Sequence, residues 1–324
     1  MTAQPASKLH LTGLLGSGFS FVTRSLFTQT ELPFLLVFNN KEEAAYYLND
    51  MEQLVGEKDV LFYPASFRRP YQIEETDNAN VLLRAEVLNR INSRKKPAVI
   101  VTYPEALFEK VVTRKELDKN TLKVAVNDKI SIDFINEVLF EYEFKRVDFI
   151  TEPGEFSVRG GIVDVFSFSN DNPYRIEFFG NEVESIRTFD VATQLSIETK
   201  KKITIIPNVE NSFFQENRES FLDYISPQTV IFIQNTELLL ADLDKHFGKA
   251  EEAFAKLSQE IKRATPEQLF LNQASFIKRA LDFSVVEWGS KAVFKTSKTF
   301  PFHFQPQPSF NKQFDLLLNN LNEN

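Results

Sequence analysis

Short apolar runs rich in β-branched and aromatic residues alternate with segments of helical period over the first 120 residues, and then the alternation stops. Residues 33–38 (PFLLVF) read as a buried strand, and 41–54 as a helix with Ala44, Tyr47, Leu48 and Met51 on one face. Strands at 60–63 and 98–102 and helices at 81–91 and 104–112 continue the pattern, which implies parallel pairing in an α/β fold. From residue 122 a helix (131–144) is followed by short strands separated by Gly, Asn, Asp and Pro, the signature of an antiparallel α+β insertion. After Lys200, Lys201, Lys202 and the run ITIIP, alternation resumes with TVIFIQ and a helix at 237–257, so the later strands are expected to complete the first sheet. The expected division is 1–121 and 209–324 for the parallel-sheet domain and 122–208 for the insert. The amphipathic run FNKQFDLLLNNL near the end has no evident packing partner.

Composition removes several classes of function. The chain has 324 residues, no uninterrupted apolar run long enough for a membrane span, and no secretory pattern at MTAQPASKLH. With no cysteine there is no disulfide framework, thiolate nucleophile or cysteine-bound zinc, and a cytoplasmic location is expected. A net charge of −8 disfavours a broad nucleic-acid surface, leaving only the short strips Arg68-Arg69, Arg94 to Lys96 and Lys200 to Lys202. His10, His246 and His303 form no metal-binding spacing, and the adjacent acids Glu42-Glu43, Glu74-Glu75 and Glu251-Glu252 read as solvated faces. No metal or cofactor is expected.

One phosphate-loop pattern is present. Gly13-Leu-Leu-Gly16-Ser17-Gly18-Phe19-Ser20 has the spacing G-x-x-x-x-G-K-[ST] except that Phe19 stands where the lysine belongs. A phenylalanine supplies neither charge nor donor to a β or γ phosphate, so Gly13, Gly18, Phe19 and Ser20 read as a degenerate loop. No run of acidic residues at the end of an apolar strand supplies a Walker B partner.

The insert contains a hairpin, residues 174–187, turning at Gly180-Asn181. Strict alternation sets Ile176, Phe178 and Val183 on one face and Arg175, Glu177, Phe179, Glu182, Glu184 and Ile186 on the other, with Glu177 opposite Glu184. That like-charge pair needs relief, from Arg175 or from a partner. Alternation leaves two places open for Phe179: an exposed anchor beside an arginine, or a ring covered by the helix at 131–144.

The phrases GEFSVRGGIVDVF (154–166) and PYRIEFFGNEVESIRTFD (173–190), with IIPN later, resemble the inserted domain of the UvrB and transcription-repair coupling factor family. The flanking segments look like that family's first RecA-like domain. Two departures favour the coupling-factor branch: Phe19 in the phosphate loop, and the short link ASFRRPYQIEETD where UvrB carries a long tyrosine-rich DNA-gripping hairpin. The resemblance implies a degenerate RecA-like (P-loop NTPase-type) domain carrying an α+β UvrA-binding insert, without catalytic activity of its own. It implies UvrA contacts at Arg159, Arg175 and Phe179. It further implies that the chain is the amino-terminal part of an ATP-dependent DNA translocase, with RNA polymerase and DNA engaged by other parts of that parent.

Overall fold

The computed structural model describes residues 6–66, 71, 78–93, 96–168, 170–209, 218–257, 264–296, 298–305, 310 and 313–323. The basic pairs Arg68-Arg69 and Arg94-Lys95, the acids Glu74-Glu75, and most of the link at 65–77 lie outside them.

Ahead of the insert come β1 (Lys8–Thr12), β2 (Phe34–Val37), β3 (Val60–Phe62), β4 (Val99–Thr102) and a two-residue β5 (Val111–Val112). Every residue of β2 and β4 is buried, as expected of strands covered on both faces. The helix Lys41–Val55 starts where the Asn40 side chain accepts the Glu43 N–H at 2.9 Å and stops at Gly56. β6 (Leu122–Ala125) leads into the insert, which holds β7 (Lys145–Arg146), β8 (Glu155–Arg159), β9 (Ile162–Val165), β10 (Tyr174–Phe179), β11 (Glu182–Phe189) and β12 (Ser196–Thr199). β13 (Lys202–Ile205) leads out and pairs antiparallel with β6, so the two crossings form one ribbon. After β14 (Arg218–Glu219) the chain adds β15 (Val230–Ile233), β16 (Ser284–Trp288) and β17 (Lys298–Pro301).

The seven-stranded sheet runs β17-β1-β16-β15-β2-β4-β3 with every pairing parallel. The strands after the insert therefore do complete the sheet begun before it, with β15 and β16 wedged between β1 and β2. One expected helix is shorter: it spans Pro104–Phe108 and not 104–112. The chain turns at Glu109 because that carboxylate is drawn inward, accepting from the Ser66 N–H and hydroxyl and pairing with the buried Arg84 at 3.2 Å. Val111 and Val112 then pair with β14, a long-range contact that outcompetes local helix propensity.

In the insert the sheet order is β12-β11-β10-β9-β8-β7, antiparallel except between β7 and β8. Phe156, Val163, Val165, Ile176, Val183 and Ile186 form its apolar face and share a buried cluster with Ile135 and Leu139 of the helix Ile132–Glu141. The other face carries the polar ladder described below. The terminal helix Phe314–Glu323 leaves Phe314, Leu316, Leu318 and Leu321 exposed. Among the described residues no helix is long and apolar enough to cross a membrane.

Candidate protein-docking face

The glycine-rich loop at 13–20 is crossed by the protein's own chain. Phe19 is buried, stacked on Trp288 with ring centroids 3.8 Å apart and edge-on to Phe38, Tyr47 and Phe232. It fills the core at the start of the helix Gly18–Thr30, where a lysine would point at phosphate. Ser20 is also buried, and its hydroxyl donates to Asp50 Oδ2 at 2.8 Å. Beyond β17 the chain crosses the loop: the Phe302 N–H donates to the Thr12 carbonyl at 2.8 Å and the Phe304 N–H to the Gly13 carbonyl at 3.4 Å. A Cβ on Gly13 would stand 1.9 Å from the Phe302 carbonyl oxygen, and one on Gly18 2.6 Å from the Phe304 ring. Those two glycines thus make room for a strap of the same polypeptide.

The other sequence candidates for chemistry stay apart. His10 Nε2 meets the Gly289 carbonyl oxygen at 3.1 Å, and His246 lies 3.6 Å from Glu105. Among the described residues no group of three or more acidic or histidine side chains is placed to hold a metal ion. Lys200 of the basic strip pairs with Glu198 at 2.6 Å.

The insert, by contrast, gathers its candidates on one surface. The β8–β9 turn has Gly160 at φ 59° and the β10–β11 turn Gly180 at φ 62°, each glycine first in a two-residue loop. Both turns lie at the same end of the sheet, stitched by the Phe178 N–H donating to the Gly161 carbonyl at 2.8 Å. Arg159 and Phe179 therefore lie at the same end of the sheet, with β9 between their strands. Of the two places open to Phe179, the exposed one is correct: 79% of its surface faces solvent.

The hairpin register differs from strict alternation. Phe179 faces Glu182 and Phe178 faces Val183, but Glu177 faces Ser185, with Glu184 as an extra, bulged residue. The cause lies outside the hairpin: both backbone groups of Val183 bond to the turn at Asn127 and Asp128. Beyond the bulge the faces exchange, so Ile186 falls opposite Ile176 in the core and Arg187 comes to the polar face. The expected Glu177–Glu184 repulsion never arises. Glu177 instead accepts the Ser185 hydroxyl at 2.5 Å and pairs with Arg187, not Arg175.

Arg175 is held by an acid in the adjacent strand. Asp164, directly opposite it, is 1% exposed and takes Nε of Arg175 at 2.7 Å and Nη2 at 2.9 Å, a bidentate fork. Its Oδ2 also accepts Arg159 Nη2 at 2.5 Å. These hydrogen bonds to Asp164 push the Arg175 pKa further above its ordinary range, so the guanidinium stays charged. Arg175 also lies 4.2 Å over the ring of Phe189 and donates to Gln194 at 3.2 Å. Phe189, with Ile150 and Phe166, forms a small second core beneath the loops on this face. Asp164 is thus a pin that orients two cations, and Arg159 keeps its outer edge in solvent. Sequence reasoning overlooked Asp164, although an acid inside the apolar run IVDVF was the available signal.

Residues 122–210 match the family model described as the UvrB interaction domain. The chain is similar to the transcription-repair-coupling factor of Bacillus subtilis, 34% identical over 201 residues that cover 62% of this chain and 17% of that protein. It is likewise similar to those of Rickettsia bellii, 29% identical over 63% of this chain and 18% of the relative, and Myxococcus xanthus, 28% identical over 65% and 18%. The chain therefore spans less than a fifth of the length of these relatives.

Proposed function

We propose that this chain is a protein-docking module of transcription-coupled repair, in which a non-catalytic RecA-like domain supports a UvrB-like insert that binds UvrA. The observation that carries the reading is the exposed Phe179 at a hairpin tip, on the same sheet face as two arginines pinned by the buried Asp164, within the segment that matches the UvrB interaction domain. A ring of this size held in solvent by a rigid turn loses little conformational entropy on docking, and its burial can supply the largest single term of an interface. Arg159 and Arg175 would pair with carboxylates of UvrA around it. RNA polymerase and DNA would be engaged by other parts of the longer proteins that share this segment.

The absence of catalysis rests on the loop. The lysine that would meet a β or γ phosphate is replaced by Phe19, which is built into the core, and residues 302–304 lie across Gly13 and Gly18; both support that reading. Calorimetric titration of the chain with magnesium-ATP is expected to give no binding heat at millimolar nucleotide. Saturable binding, or phosphate release by the chain, would overturn the non-catalytic half of the proposal and leave the docking half to its own tests.

A further inference from the structure

The geometry points to a second aromatic anchor at Phe149, which would make the docking face a two-point grip and not a single-hairpin contact; the inference rests on the UvrA-docking reading above. Phe149 follows β7 and is 65% exposed, the second most solvent-exposed ring in the insert after Phe179. It lies on the polar face of the sheet, because the Arg159 guanidinium that bonds Asp164 on one side sits 5.2 Å over the Phe149 ring on the other. The loop that carries it is not loose. Glu155 Oε2 accepts the Thr151 N–H at 2.7 Å, the Thr151 hydroxyl at 3.0 Å and the Glu152 N–H at 3.1 Å, and Ile150 is buried next to Phe149.

A loop fastened at Ile150 and Glu155 while its phenylalanine faces water expends burial on its frame and leaves the ring available. Phe149 and Arg159 line a cleft of about 450 Å³ at the sheet edge, together with Arg146, Asp148 and Val158. Three strand spacings, ~15 Å, separate this cleft from the line of β10 that ends in Phe179. A standard protein interface easily covers that distance. The surface that fits is a UvrA segment with an acidic side chain seated between two apolar ones: the apolar groups on Phe149 and Phe179, the carboxylate on Arg159 between them. Continuity with the Arg159–Arg175 ladder, in which two arginines share the single carboxylate of Asp164 and so leave positive charge over, argues for this occupant, while Asp148 at the edge of the cleft confines the acidic side chain to Arg159.

Surface plasmon resonance with immobilised UvrA tests it, using Phe149→Ala, Phe179→Ala, Arg159→Ala and the double variant Phe149→Ala/Arg159→Ala. Phe149→Ala is expected to weaken binding about tenfold, and to weaken it several-fold again in the Arg159→Ala background, since a direct anchor acts without the arginine. If the effect vanishes in that background, Phe149 only positions Arg159 and the inference fails. If Phe149→Ala binds like the unsubstituted chain while Phe179→Ala does not, the inference fails and the docking reading stands. If neither substitution changes affinity, both fail. Thermal melts accompany each variant, and Phe149→Gln, which keeps a side chain over the cleft, replaces the alanine should the melt shift.

Discussion

Phe179→Ala is expected to weaken UvrA binding by about 30-fold, ~2 kcal/mol, while leaving the melting temperature of the chain unchanged. The two halves of that expectation come from the same number. A ring 79% exposed in the free protein contributes little to folding, so its truncation removes little that the native state uses. Its neighbours, by contrast, hold the tip in place: Gly180 closes the turn and the Phe178 N–H is anchored on Gly161. The ring is thus presented by a rigid frame, and the loss on truncation appears almost entirely in the complex. Titration calorimetry with UvrA, with a melt of each protein, separates this outcome from general destabilisation. Unchanged affinity would remove Phe179 from the interface.

Phe19→Lys, which restores the phosphate-loop pattern, is expected to lower stability by about 4 kcal/mol and to create no nucleotide site. Removing a buried phenylalanine from a packed aromatic cluster costs about 3–5 kcal/mol, of which the lysine stem recovers part. The ammonium then sits among Trp288, Phe38, Tyr47 and Phe232, at the positive end of the helix Gly18–Thr30. Burial there would depress the lysine pKa in the folded state below its ordinary value of about 10.4. The unfolded chain then binds the extra proton, so the deficit is largest at neutral pH and shrinks as the pH rises toward 10. Melts at pH 7 and pH 9.5 check the sign; a variant of normal stability that binds magnesium-ATP would contradict the account.

Much of the fold was legible in the sequence because it depends on local pattern. β2 and β4 are continuous apolar runs, and such runs are buried wherever the rest of the chain goes. The features that were not legible depend on contacts far away in sequence. The bulge at Glu184 exists because the turn at Asn127 and Asp128, more than fifty residues earlier, takes the backbone groups of Val183. The helix that stops at Phe108 is cut by a carboxylate drawn toward Ser66 and by pairing with β14. The strap at residues 302–304 meets Gly13 and Gly18 from the opposite end of the chain, so nothing near those glycines announces it.

The candidate site divides in the same way. Alternation placed Arg175 and Phe179 on one face, correctly, because both precede the bulge; it misplaced Ile186, which follows it. Asp164 carries the organisation of the face, yet its role comes from cross-strand pairing with Arg175 and a diagonal approach by Arg159, which require the strand register. Phe149 is further removed still, since its loop reaches the polar face only through the parallel pairing of β7 with β8.

Hydroxyl-radical footprinting of the chain, free and saturated with UvrA, tests the docking face most directly because it reads side chains one by one. Oxidation of Phe179 is expected to be strongly suppressed in the complex. Phe21, 61% exposed on the helix Gly18–Thr30 of the other domain, is expected to react as before. A complex in which Phe179 is oxidised as fast as in the free chain would contradict the account.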